Sequence, residues 1–233
     1  MRLFFSYFFV LSFFSLVAQE AIKNEKIGIP KIDSLYREDQ FYFGFTINNL
    51  LNKPVGLSQD KLSTGFSLGF SRDMPINKLR TVAFASGIGF TYNNYIQNIR
   101  ITKTNQDYEY TLIPSGTSFS KNRISQLFID VPIEFRWRTS TYESYKFWRI
   151  YGGLKFSYLI YDRYIYSDSQ GKLILTNNPD FNKIQYGAYV SAGFNTFNAY
   201  VYYGLNSIFK SAKIEGQSID MRTLNVGIIF YIL

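Results

Sequence analysis

From residue 40 onward, apolar and polar side chains alternate with a period of two along most of the chain. Residues 127–138 show it best: Leu127, Ile129, Val131, Ile133, Phe135 and Trp137 are large and apolar, while Asp130, Glu134, Arg136 and Arg138 share the other parity. Side chains on a strand point alternately to opposite faces, so this segment predicts a strand with one apolar and one ionic face. Seven further segments repeat the pattern, at residues 40–48, 62–71, 81–92, 148–161, 184–194, 197–206 and 223–233. In the second of these, Leu62, Thr64, Phe66, Leu68 and Phe70 oppose Ser63, Gly65, Ser67, Gly69 and Ser71. Small or polar residues on one face and large apolar ones on the other fit either a soluble sandwich or a barrel in lipid, whose apolar face points outward.

Connection lengths separate the two. Residues 72–80, 139–147 and 195–196 form short links after the even-numbered segments, whereas 98–123 and 162–183 are long, polar links after odd-numbered ones. A membrane barrel sorts its links in this way, with short periplasmic turns and long outer loops. Segments of about 10 residues also match the tilted length that crosses a bilayer. Backbone groups in hydrocarbon must all be paired, which closes the sheet on itself. The fold expected is therefore all-β: an eight-stranded antiparallel up-and-down transmembrane β-barrel over residues 40–233, located in the cell outer membrane. Ten strands remain open if residues 99–112 form an extra hairpin or extend the strands beside them. Pro132 cannot donate a ladder hydrogen bond and a closed barrel has no edge to hide it, which predicts a bulge there.

The start of the chain supports export. Met1-Arg2 precedes an apolar run over residues 3–17, followed by Ala18-Gln19-Glu20, the pattern of a signal peptide covering 1–18 and cleaved after Ala18 or Gln19. The run is short for a membrane-spanning helix, which needs about 20 residues. Residues 19–39 read as a polar periplasmic segment, either a tail, a partial plug or disordered chain.

Composition then narrows the chemistry. The 23 Phe, 20 Tyr and 16 Gly among 233 residues favour a sheet protein with aromatic girdles. There is no His and no Cys, which excludes Ser-His hydrolysis, Cys nucleophiles, His-based metal sites and disulfides. Gly65-Phe66-Ser67-Leu68-Gly69 matches the nucleophile-elbow pattern but lies mid-strand, where its Gly and Ser are simply small inward residues. No enzymatic activity and no cofactor are expected. The net charge of +8, Arg2 included, suits anionic partners such as lipopolysaccharide phosphates. Nucleic acid is not expected, because the aromatics follow strand parity and not a base-recognition motif.

The candidate site is the inward face of residues 127–161. Asp130, Glu134, Arg136, Arg138, Arg149 and Lys155 share inward parity on two neighbouring strands, so acids and bases should pair across them. Bases outnumber acids four to two in this set. Two outcomes follow: a charged lumen that conducts or binds anions, or an ion-pair network that plugs an interior just wide enough for side chains. The outer loops, rich in Tyr, Asn and Ser, suit protein or glycan contact, or merely solvate the rim.

The stretch from Leu127 to Ile160 resembles the PorT-like outer-membrane β-barrel family of Bacteroidota. The resemblance rests on Ile129-Asp130-Val131-Pro132-Ile133 followed by Tyr151-Gly152-Gly153-Leu154. It implies an outer-membrane barrel with lipid and lipopolysaccharide around it, and a possible association with secretion-machinery or envelope proteins, type IX secretion among them. A narrow porin-like channel and a surface adhesin are the alternative functions.

Overall fold

A computed structural model describes residues 37–59, 61–105, 107–140 and 146–232. The expected signal peptide and most of the 19–39 segment lie outside the described residues. Eight strands form the wall: β1 (Gln40–Leu51), β2 (Thr64–Pro75), β3 (Val82–Ile96), β6 (Lys121–Arg138), β7 (Trp148–Asp168), β9 (Ile184–Phe194), β10 (Phe197–Gly204) and β13 (Arg222–Ile232). Each pairs antiparallel with the next in this series, and β13 returns to β1 from Phe41↔Ile232 to Leu51↔Arg222, so the sheet is closed. The remaining strands, β4 (Ile99–Thr104), β5 (Asp107–Leu112), β8 (Gly171–Thr176), β11 (Lys213–Ile214) and β12 (Gln217–Ser218), belong to the long links.

Exposure alternates residue by residue along the wall, as in β1, where Tyr42, Gly44, Thr46 and Asn48 are buried and Phe41, Phe43, Phe45 and Ile47 are exposed. The exposed apolar set forms a continuous outer belt. Near the short-turn end it carries Phe41, Trp137, Trp148, Phe194 and Phe197, with Trp148 and Phe194 rings 5.3 Å apart. Near the long-loop end it carries Tyr92, Tyr158, Tyr161, Tyr186 and Tyr203. From Trp148 to Tyr158 the strand rises ~33 Å at ~3.3 Å per residue, or ~25 Å along the barrel axis at a tilt of ~40–45°, which equals the apolar band of a membrane barrel.

The turn end is compact. Asn77 shapes the β2–β3 turn, its Oδ1 accepting from Val82 N at 3.0 Å and its Nδ2 donating to Thr81 Oγ1 at 2.8 Å. Asn195 takes the left-handed conformation (φ 56°) that lets β9 reverse into β10 within two residues.

The bulge expected at Pro132 is not there. Pairing with β7 runs regularly through Val131↔Phe156, Pro132↔Lys155 and Ile133↔Leu154, and the register shifts between Leu127 and Phe128, where β7 carries Ile160 as an extra residue. The missing N–H of Pro132 falls on the β3 side. The rows opposite Gly87 and Ile88 are absent from that ladder, which resumes in unchanged register at Gly89↔Asp130. There the Pro132 carbonyl accepts from Ser86 Oγ at 3.1 Å. A proline is thus accommodated by a gap on one side and a side-chain donor, without moving either strand.

The long links are also more ordered than loops that solvate a rim. β6 and β7 continue beyond the belt, β8 pairs with the upper part of β7, and β4–β5 form a separate two-stranded hairpin. The hairpin at residues 99–112 therefore adds no strand to the wall, and the count remains eight.

Candidate functional site: a filled lumen under a packed cap

All six residues expected on the ionic face are buried inside the barrel. Their partners come from more strands than the two that carry them. Arg138 from the end of β6 makes a two-pronged ion pair with Asp73 of β2, Nη1 to Oδ1 at 2.8 Å and Nη2 to Oδ2 at 2.7 Å. Arg136 reaches the same carboxylate at 3.2 Å and Glu134 at 2.7 Å. Its Nη1 also donates to the Glu38 carbonyl at 3.2 Å, so the chain entering β1 is tied to the same cluster. Asp73 is 0% exposed and also accepts from the backbone N–H of Glu38 at 3.4 Å. A planar guanidinium suits such bidentate recognition of a carboxylate.

A second cluster lies nearer the middle. Asp130 accepts from Ser157 Oγ at 2.6 Å and from the Thr91 hydroxyl, and faces Lys155 Nζ at 3.7 Å. Lys155 in turn sits over the Tyr202 ring at 4.6 Å. Glu134, which pairs with Arg136 on one side, accepts from Tyr189 Oη at 2.6 Å on the other.

Arg149 behaves differently from the other five. Its guanidinium lies over Phe147, Tyr231 and Tyr151 at 4.5, 5.5 and 5.7 Å, within cation–π range, and no ion pair to it is found among the described residues. Phe147, 1% exposed, floors the lumen at the turn end.

Sequence reasoning missed Asp73, Glu38 and the tyrosines. Asp73 and Glu38 bring the acids level with the bases, four to four, which removes the expected positive excess. Tyr42, Tyr151, Tyr189, Tyr200, Tyr202 and Tyr231 pack together with Ile229 and fill the space between the charges. Between these side chains lie a cavity of ≈ 20 Å³ beside Asp130, Glu134 and Lys155, and one of ≈ 10 Å³ beside Thr91 and Ser157. Each has room for about one water, not for a continuous aqueous path.

The long links close the other end. Ile99, Ile101 and Tyr110 of the β4–β5 hairpin, Phe181, Ile208, Phe209 and Met221 pack with Tyr95, Ile124, Phe128 and Tyr164 of the wall into one apolar core. Phe181 and Phe209 stack at 4.8 Å, and Tyr110 meets Phe209 edge-on at 5.5 Å. A polar latch joins three links: Tyr110 Oη donates to Asp180 Oδ2 at 2.8 Å, Ser211 Oγ donates to Asp180 Oδ1 at 2.6 Å, and Asn178 Nδ2 donates to Tyr110 Oη at 2.7 Å. Burial pushes the Tyr110 phenol well above its usual range, so it remains a donor at physiological pH. Asp180→Ala removes the shared acceptor of two of these bonds and is expected to loosen the cap by ~1.5–3 kcal/mol, the range for hydrogen bonds to a charged group. Limited proteolysis should then cut the links faster while the heat-modifiable gel shift of the folded wall is unchanged; equal protease resistance would show that the latch holds nothing.

A family model described as "Outer membrane protein beta-barrel domain" matches residues 17–210. Among solved structures, the crystal structure of Ail, the attachment invasion locus protein of Yersinia pestis, in complex with the heparin analogue sucrose octasulfate, is similar. That similarity covers 84% of this chain and 99% of that chain, at 14% sequence identity and a TM-score of 0.39. No curated protein matches the sequence.

Proposed function

The chain belongs to the outer membrane protein beta-barrel domain family and resides in the outer membrane, and from that premise we propose that it is a non-conducting, non-enzymatic barrel working through its folded cap. The single observation that carries this reading is the filling of the lumen: buried ion pairs and tyrosines leave cavities of ≈ 20 and ≈ 10 Å³, and an apolar core closes the loop end. A pore would need the opposite, a polar interior with water along its length. In planar bilayers the protein is expected to give no stable conductance steps. Reproducible ohmic steps with anion preference would restore the channel alternative.

A cap with its own core is a rigid platform, which suits recognition of a partner better than solvated loops do. The partner class follows from the PorT-like resemblance of residues 127–160: a component of type IX secretion or of outer-membrane assembly. Adhesion to an external surface is the second reading, favoured by the same cap. Deleting the gene and complementing it with a barrel whose 99–112 hairpin is replaced by a short Gly-Ser link tests both. The deletion is expected to impair release of type IX cargo, and the hairpin-less barrel, once shown to fold by its gel shift, should fail to restore it. Unchanged secretion with reduced attachment of cells would transfer the role to adhesion, and full rescue by the hairpin-less barrel would remove the cap from the function.

A further inference from the structure

We propose that the outward face of β6, β7 and β8, directly above the loop-end girdle, binds the phosphate groups of an outer-leaflet lipid. This goes beyond the cap reading and does not depend on which partner the cap meets.

The register places the residues. Beyond the Leu127↔Tyr161 girdle row, consecutive outward rows are Ser125↔Arg163↔Thr176, Arg123↔Ile165↔Ile174 and Lys121↔Ser167↔Lys172. Four cations thus share one face of three neighbouring strands, with no carboxylate in any of the three rows. The opposite face of these strands, with Ile124, Tyr164 and Tyr166, is packed into the cap core, so the basic side chains have only the outer side to occupy. Lys121 and Lys172 are exposed and Arg123 and Arg163 are half-buried. None of the four has an ion pair among the described residues, and Arg123 Nε has no hydrogen-bond partner. Asp162, next to Arg163 in the chain, has the opposite, inward parity, is buried and accepts from the Asn178 N–H at 3.0 Å, while Asp168 is engaged in the β7–β8 turn, accepting from the N–H groups of Gln170 and Gly171 at 2.9 and 3.1 Å.

Height selects the ligand. Arg163 and the Arg123 row lie two and four residues above Tyr161, or ~5 and ~10 Å along the axis at ~3.3 Å per residue and ~45° tilt. The headgroup layer occupies about the first 5–8 Å beyond the hydrocarbon on each side, so Arg163 stands at the level of the lipid phosphates, while Arg123 and, one row higher, Lys121 and Lys172 reach down toward them with their long side chains. The patch is also continuous with the lipid-facing belt below it through Leu127 and Tyr161. A guanidinium grips phosphate through two parallel N–H groups and an ammonium as a point charge, so two Arg flanked by two Lys suit a lipid carrying more than one phosphate.

The test uses the full folded protein in phosphatidylcholine nanodiscs doped with either bis-phosphorylated or dephosphorylated lipid A, with retained lipid counted by native mass spectrometry. Wild type is expected to retain the phosphorylated form preferentially. The R123Q/R163Q variant should lose roughly thirtyfold of that preference, as expected for removing two juxtamembrane cations at about 1 kcal/mol each. Lys210→Gln, a cation of the cap outside this face, should leave it unchanged. If the double variant does not fold, Arg163→Gln and Lys172→Gln are read singly, each expected to weaken retention. Equal retention by wild type and the variants would overturn the proposal. So would equally tight binding of soluble inorganic phosphate or a sulfated polysaccharide by the protein in detergent, because the face would then be a general polyanion surface.

Discussion

Asp73→Ala is expected to cost the folded barrel about 3–5 kcal/mol, because removing one partner of a buried ion pair leaves charge uncompensated in low dielectric. Here the stranded charge is double, since Arg136 and Arg138 both rest on Asp73. Urea titrations in lipid vesicles followed by tryptophan emission would read the loss, with Trp137 and Trp148 both on the lipid face. Asp73→Asn keeps the shape and should lose most of the same stability, whereas Asp73→Ala combined with Arg138→Met should recover part of it by removing a charge along with its partner. A single variant within about 1 kcal/mol of wild type, the value of an exposed pair, would show that the network is screened by water after all.

Gly153→Ala is expected to prevent or severely weaken closure of the wall, while Gly152→Ala, one residue away, should be nearly silent. A Cβ at Gly153 would collide with the backbone carbonyl oxygen of Ile133 and stand 2.9 Å from Glu134 Cα, atoms of the neighbouring strand that cannot swing aside. At Gly152 the nearest atom is Tyr189 O at 3.5 Å, an ordinary contact. Overpacking costs of about 1–3 kcal/mol are usual where side chains can shift, and a backbone collision belongs at or beyond the top of that range. The heat-modifiable gel shift of each variant after refolding decides the matter; a Gly153→Ala barrel as stable as the Gly152→Ala one would mean that β6 and β7 can separate locally without penalty.

The wall was legible in the sequence because lipid and lumen impose opposite demands on alternate residues, and that contrast repeats on every strand. Residues 184–194 were read to their observed bounds for this reason. Where only one side of the strand differs in kind, legibility fades. The upper halves of β6 and β7 run between cap core and headgroups, so Ile124, Tyr164 and Tyr166 face inward next to polar outward neighbours, and the segment reads as a polar loop. The cap core was hidden for the same reason, its Ile99, Ile101 and Tyr110 being spaced among Arg100, Lys103 and Glu109. In the lumen, five of the acid and base partners, Asp130, Glu134, Arg136, Arg138 and Lys155, were found from parity on β6 and β7, but Asp73 was not. It stands two residues beyond Ser71, where the recognised alternation stopped, and its partners lie on a strand that pairs with neither side of β2. Arg149 shows the limit of pairing by charge alone, since aromatic faces took the place of the expected carboxylate. The position of Pro132 was read correctly as a break in the ladder, but the break opened a gap toward β3 where a shift of register was expected.

The seam between β1 and β13 joins the first and last described strands of the chain, from Phe41↔Ile232 to Leu51↔Arg222. Every other pairing in the wall joins strands that follow one another along the chain, but this one brings β13 back to β1 across the whole wall. Until it forms, two rows of unpaired amides face hydrocarbon, each group costing several kcal/mol. Insertion is therefore an all-or-none event: a chain ending before Arg222 is a sheet with two open edges, excluded from the bilayer and free to pair with another copy of itself.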